Sequence, residues 1–185
     1  KMETELQTRE KRVKELESVI NRKDSVVREL KNKLSAALLG FENNGLTITM
    51  KDGKVYVSLE NQLLFKSGSY EVDEKGKDAL RKLAKVLEQN PDINVTVEGH
   101  TDADKFAGSG SLKDNWDLSV MRATQIVKLL LNSATIDAKR ITASGRGEFF
   151  PLDPSNSDAA KKKNRRTEII LTPKLDELYQ MLNEK

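Results

Sequence analysis

Over residues 1 to about 38, aliphatic and charged residues alternate with no Gly or Pro, and Leu6, Val13, Ile20, Val27 and Leu34 recur at every seventh position. Three places after each stand Arg9, Leu16, Lys23, Leu30 and Ala37, with Met2 in the same second row. Alternating steps of three and four make a heptad repeat, with the first row as a and the second as d. The pattern predicts a long helix over 1–38 serving as a coiled-coil stalk. Valine and isoleucine at a with leucine at d favour a parallel two-stranded coil, hence a parallel homodimer through these residues. Arg9 and Lys23 interrupt the d row, which lowers stability and can fix register. The flanking charges fit in part: Arg12 at g can meet Glu17 at e of a partner, but Glu5 would face Glu10. A single charged helix packed on its own domain, or a disordered stalk, are the alternatives.

Gly40, Asn43, Asn44 and Gly45 end the helix and open a second pattern. Leu46, Ile48 and Met50 alternate with Thr47 and Thr49, and Val55, Val57 and Leu59 alternate with Tyr56 and Ser58. Between them Asp52-Gly53 suits a two-residue type I′ turn, so 46–59 reads as a hairpin. After a loop with Phe65, Ser67 and Gly68, a helix starting near Asp73 carries Leu80, Leu83 and Leu87 on one face until Asn90-Pro91. Ile93, Val95 and Val97 mark a half-buried strand ending at Gly99. A second helix starts around Asn115, with Trp116, Val120, Ala123, Val127 and Leu130 as its apolar stripe. Strands follow at Arg140 to Ser144 and Thr167 to Leu171. Pro173 breaks the last, and Leu175, Leu178, Tyr179 and Leu182 mark an amphipathic helix. The expected divisions are a stalk at 1–38, a domain at 46–172 and a C-terminal helix at 173–185. The order hairpin, α, β, α, β, β, α predicts an α+β fold: a mixed sheet with helices over one face.

Composition narrows the chemistry. No run approaches the roughly 20 apolar residues that span a bilayer, so a membrane link is expected only through a segment missing from this chain. Residue 1 is Lys, which suggests a start downstream of the natural one. There is no cysteine and one histidine, His100, which excludes thiolate chemistry and sites built from several imidazoles. A net charge of +3 is too small for a dedicated nucleic-acid binder.

The strand at 93–98 delivers His100, Thr101 and Asp102 to its C-terminal edge, where ligands commonly bind in α/β sheets. At 100° per residue, Asn115, Ser119 and Arg122 share a narrow arc about a quarter turn from the centre of the apolar stripe, which borders the core. If the intervening loop folds back, Asp102 stands near this arc. A carboxylate and a guanidinium side by side suit a zwitterionic ligand: the first accepts from an ammonium, the second grips a carboxylate with two parallel bonds. The alternative is a structural salt bridge between Asp102 and Arg122. A hydrolase triad of His100, Ser119 and Asp102 lacks a nucleophile elbow. A metal site of His100, Asp102 and Asp104 lacks recognisable ligand spacing. Gly108, Ser109 and Gly110 read as linker, and Lys161 to Arg166 as a solvated basic loop entering the last strand or as a contact for an anionic polymer.

Taken together, Val97-Glu98-Gly99-His100-Thr101-Asp102, Asn115-Trp116-Asp117-Leu118-Ser119 and Arg122-Ala123 resemble the peptidoglycan-binding domain of the OmpA C-terminal family. That family includes the peptidoglycan-associated lipoprotein and the flagellar stator B subunit. Arg140-Ile141, Gly145-Arg146-Gly147-Glu148 with Pro151, and Asn164-Arg165-Arg166-Thr167-Glu168-Ile169 agree, as does Leu64-Phe65-Lys66-Ser67-Gly68-Ser69. The resemblance spans roughly 55 to 172 and implies a β/α sandwich that binds diaminopimelate of the peptidoglycan stem without catalysis, metal or cofactor. It implies Asp102 for the ammonium and Arg122 for the carboxylate, with Asn115 and Arg165 as further contacts and Ser67 and Gly68 lining the pocket. Two departures stand out: the loop 103–114 is longer than usual, and Gly68 offers no side chain where some relatives place a polar one. The expected role is a periplasmic wall anchor, at the outer membrane more than the inner. A stator-like motor component and a coiled-coil interaction scaffold are the alternatives.

Overall fold

The computed structural model describes residues 2–65 and 69–183. In chain order it contains α1 (Met2–Ala37), β1 (Leu46–Lys51), β2 (Lys54–Glu60), α2 (Asn61–Leu64), α3 (Glu74–Glu88), β3 (Ile93–His100) and α4 (Asn115–Ser133). A 3-10 turn at Ala138–Arg140 leads to β4 (Ile141–Gly145), then α5 (Asp158–Asn164), β5 (Arg166–Pro173) and α6 (Asp176–Asn183). The strands form one sheet in the order β1-β2-β5-β3-β4, antiparallel except for the parallel β3–β4 pair.

The hairpin closes as its turn residues dictate. Asp52 and Gly53 both take positive φ (51° and 70°), and Lys51 pairs with Lys54. Along the three central strands one parity faces the helices: Val55, Val57 and Leu59, then Ile93, Val95 and Val97, then Ile169 and Leu171 are fully buried. They meet Leu80, Leu83 and Leu87 of α3 and Ile126 and Leu130 of α4 in one core. The protein is thus an α+β fold with its helices on one face of a mixed sheet. Asp73 caps α3, its side chain accepting from the Lys75 amide. At the other end of α3, buried Arg140 donates to the carbonyls of Leu87, Asn90 and Ile93, tying that helix to β3.

The long helix behaves in two ways along its length. Seven residues of an α-helix fall about 20° short of two full turns, so a strict heptad row walks around a straight helix. That drift is small beside the change seen along the row Leu6, Val13, Ile20, Val27, Leu34, whose exposures of 58%, 52%, 48%, 1% and 0% drop abruptly where the helix meets the domain core. Its first three members face solvent. Its last two enter the domain core with Leu30 and Leu38, each worth about 2 kcal/mol of transfer free energy. The second half of α1 is therefore a core helix, the packing left open as an alternative to a free stalk. The first half carries α6, which runs antiparallel to it: Arg12 donates to the carbonyls of Met181 and Leu182 at 2.6 and 3.1 Å, and Arg22 pairs with Glu177 at 2.9 Å. Among the described residues no helix is long and apolar enough to cross a membrane.

Three local expectations change. The segment 158–164 is a helix, capped by Ser157 accepting from the Ala160 amide, so the basic run begins on an ordered turn and not in a solvated loop. The last strand extends through Pro173, which is tolerated at its end because the strand finishes there. The stripe on α4 is rotated: Trp116 and Val120 are 48% and 42% exposed, whereas Asn115, Ser119 and Arg122 are on the buried face. The cause lies in two glycines. A Cβ at Gly99 of β3 would clash with the Ser119 carbonyl, and one at Gly145 of β4 with the Ser119 hydroxyl and Val120. Without those side chains the start of α4 sits directly on the sheet backbone, and its small polar residues face inward.

Candidate functional site

The polar face of α4 meets the end of β3 at a cleft of about 680 Å³, lined among others by Asn61, Phe65, Asp102, Asn115, Arg122 and Arg165. Strand alternation sets its chemistry. Gly99 faces α4, His100 points to the opposite face, and the chain then leaves the sheet and presents Asp102. The Thr101 amide donates to the Gly147 carbonyl at 2.9 Å, extending the β3–β4 connection past the last ladder bond. Asp102 accepts from the Asp104 amide on Oδ1 (3.0 Å) and from Arg165 on Oδ2 (2.6 Å). Asn115, the first residue of α4, donates to the Asp104 carbonyl at 3.0 Å and so fixes the start of the loop. Lys161 pairs with Asp104 at 2.9 Å.

Arg122 stands two turns further along α4 and is 9% exposed. Its guanidinium lies 5.2 Å from the centre of the Phe65 ring and reaches the Ser69 carbonyl through one long bond of 3.4 Å. Among the described residues its Nε has no partner. Burial first, then the charge of Arg165, pull the Arg122 pKa down, with Asp102 opposing them. A guanidinium stays charged in proteins regardless, so this cation is held in poor solvation, with one long bond among the described residues. Asp102 and Arg122 do not pair with each other; the carboxylate is taken by Arg165 instead. Near the cleft, Asp102 and Asp104 face Arg122, Arg165, Lys105 and Lys161, an excess of positive charge that a ligand carboxylate would relieve.

The structure therefore gathers Asp102, Asn115, Arg122 and Arg165 at one cleft. Ser67 and Gly68 lie outside the described residues. Asn61 was missed from the sequence: it is 8% exposed, lines the cleft, and both its side-chain amide atoms lack partners among the described residues. Such an orphaned amide costs free energy unless a ligand or water completes it. The available signal was the polar run Glu60-Asn61-Gln62 ending an alternating strand beside the loop that carries Phe65.

The imagined triad and metal trio are not assembled. The Ser119 hydroxyl is fully buried, donates to the Trp116 carbonyl and accepts from the Gly147 amide, which makes it a lock between α4 and the loop after β4. His100 lies across the sheet, with Nε2 3.1 Å from Glu98 and 3.9 Å from Glu168. The His100 imidazole, 3.1 Å away, and then Arg146 hold the Glu98 carboxyl below its usual range against the effect of burial. Glu98, His100 and Glu168 could offer a metal one ligand atom each within 4.8 Å. Arg146 and Arg166 already occupy the other oxygens of the two carboxylates, and the group reads as a charge-balanced brace.

Residues 64–165 match the model of the OmpA family. Motility protein B of Bacillus subtilis is 31% identical over 162 residues, which cover 86% of this chain and 57% of that protein. The peptidoglycan-associated lipoprotein of Buchnera aphidicola is 29% identical over 150 residues, 81% of either chain. Among solved structures, the cell wall anchor of the T6SS from Pseudomonas aeruginosa superposes with a TM-score of 0.68 at 27% identity, over 76% of this chain and 97% of that one. The chain spans about half the length of the first curated relatives, 57%, 56% and 51%.

Proposed function

Because this chain belongs to the OmpA family, which its residues 64–165 match, we propose that its cleft binds peptidoglycan non-covalently through the diaminopimelate of a stem peptide. One observation carries the reading: Asp102 and Arg122 line the same cleft without bonding each other, and among the described residues the guanidinium keeps donors without partners. Diaminopimelate ends in an ammonium and a carboxylate on one carbon. Asp102 keeps lone pairs beyond those used by Arg165 and the Asp104 amide, and these accept from the ammonium. Arg122 takes the carboxylate with two parallel bonds. Arg165 steadies Asp102 at the rim, and Asn115 and Asn61 supply amide contacts. The resemblance adds Ser67 and Gly68 to the same pocket. The cleft binds and does not catalyse, and the chain anchors an envelope protein to the wall from the periplasmic side. The names of the relatives support this role, since one is a peptidoglycan-associated lipoprotein and another a cell wall anchor.

The test compares two tripeptides that differ in one group. Replacing diaminopimelate by lysine keeps an ammonium and deletes the terminal carboxylate. A charge-assisted bond is worth about 1.5–3 kcal/mol, so calorimetry should find the lysine peptide about 10- to 100-fold weaker. Equal affinities would refute the clasp.

The exposed start of α1 gives a second element of the proposal. Met2, Leu6, Val13 and Ile20 form an unpaired stripe, and two copies joined along it in parallel would bring two clefts to one polymer. That raises avidity by about 10²–10⁴ where the geometry lets both engage. Sedimentation should show a dimer that Val13→Glu with Ile20→Glu converts to monomer; a wild-type monomer at micromolar concentration sinks this part. The 31% identity to motility protein B favours a second reading, a wall-bound motor component. On that reading the natural protein carries a membrane-spanning helix ahead of Lys1 and its loss stops motility, whereas a lipid-modified cysteine there supports the plain anchor.

A further inference from the structure

A second, smaller cleft of about 460 Å³ adjoins the first, and Lys105, Phe106 and Asn115 belong to the walls of both. Its far side is aromatic. Trp116 and Phe149 stack with ring centres 5.3 Å apart and planes 28° from parallel, yet they remain 48% and 58% exposed. Each ring gives one face to the other, and the face turned away from that contact stays open. Scattered exposed apolar residues need no explanation, but a stacked pair in a cleft wall next to a binding site does.

The platform is built on the same scaffold as the first cleft. Trp116 lies in the first turn of α4, whose cap Asp114 accepts from the Asp117 amide. Phe149 rests over Gly147, whose φ of +56° suits a residue without a Cβ, and the Gly147 amide donates to Ser119. The rings are therefore held in place before any ligand arrives, which reduces the ordering cost of binding. Lys113, Asp114 and Glu148 rim the cleft and offer both donors and acceptors.

One open aromatic face edged by mixed hydrogen-bonding groups matches a pyranose ring, which has one face of C–H bonds and hydroxyl and acetamido groups at its edge. We propose that this cleft is a subsite for an N-acetylated hexosamine of the glycan strand, contiguous with the diaminopimelate cleft. The proposal rests on the peptidoglycan reading, because the stem peptide is what joins the two ligands. Three extended residues reach about 10 Å, and the two clefts share a wall at Lys105, Phe106 and Asn115.

Trp116 is the sole tryptophan, so its fluorescence reports the subsite directly. Three probes separate the ideas: the free diaminopimelate tripeptide, the same tripeptide on its N-acetylglucosamine–N-acetylmuramic acid disaccharide, and a chitin trisaccharide. The disaccharide should tighten binding about five- to tenfold over the tripeptide and shift the Trp116 emission. The double variant Trp116→Ala, Phe149→Ala should erase that gain and leave tripeptide affinity unchanged. Asp102→Ala should weaken the peptide and leave the trisaccharide-induced shift of Trp116 in place. Tripeptide binding with no gain from the sugar overturns the subsite alone, as does a gain that survives the double variant. Sugar binding without tripeptide binding supports the subsite and refutes the first cleft. Failure of all three probes overturns both.

Discussion

Arg122→Ala should abolish co-sedimentation with peptidoglycan and leave the far-UV circular dichroism unchanged. Truncating one partner of a buried charge pair typically costs 2–5 kcal/mol of binding, and a site made of a few charge-assisted bonds has little more than that to lose. The fold should tolerate the change. Burial already disfavours this guanidinium, its hydrogen bond to Ser69 is long at 3.4 Å, and the helix around it is fixed by Ala123, Ile126 and Leu130. Arg122 is thus held at a cost that folding does not recover, the expected signature of a residue retained for a ligand. Arg122→Lys provides the sharper control. It keeps the charge but removes the planar fork, so it should bind far more weakly than the wild type; full retention would show that charge alone suffices.

Gly99→Ala should be the most destabilising single methyl in the domain. Its Cβ would press on the Ser119 carbonyl, a backbone atom of a packed helix that cannot swing aside. Overpacking of this kind costs about 3 kcal/mol, about 6–12 °C in melting temperature for a chain of this length. Binding should fall with stability, because lifting α4 from β3 moves Asn115 and Arg122 away from Asp102. Gly40→Ala is the matched control: its Cβ would meet nothing within 4 Å, and its melting temperature should stay near that of the wild type. A Gly99→Ala melting point equal to that of Gly40→Ala would contradict the close packing of α4 on the sheet.

The sheet was legible because its strands obey a period of two and its hairpin uses a turn that only certain residues close. The helices were harder for a physical reason. On α4, large apolar side chains suggested that Trp116 and Val120 face inward, but the inner face is chosen by what the sheet has room for. Two glycines on neighbouring strands admit only Ser119 and the backbone there, and that contact is invisible to helical periodicity. On α1 the seven-residue row was real and its interpretation depended on position. The domain covers only the second half of the helix, so one pattern describes solvent-facing residues at Leu6 and core residues at Leu34. Asp102 and Arg122 could be placed near each other from the strand end and the helix arc. That Arg165, 63 residues on, takes the carboxylate depends on a helix at 158–164 which a lysine-rich run conceals. Asn61 carries no motif; its exposure to the cleft comes from packing alone.

The most direct measurement is a crystal structure of this chain soaked with diaminopimelate. The ligand should appear with its ammonium within hydrogen-bonding distance of the Asp102 carboxylate and the carboxylate on the same carbon spread across the Arg122 guanidinium, which gives up Ser69. A cleft without ligand at saturating concentration, with Arg122 still directed at Ser69, would contradict the account.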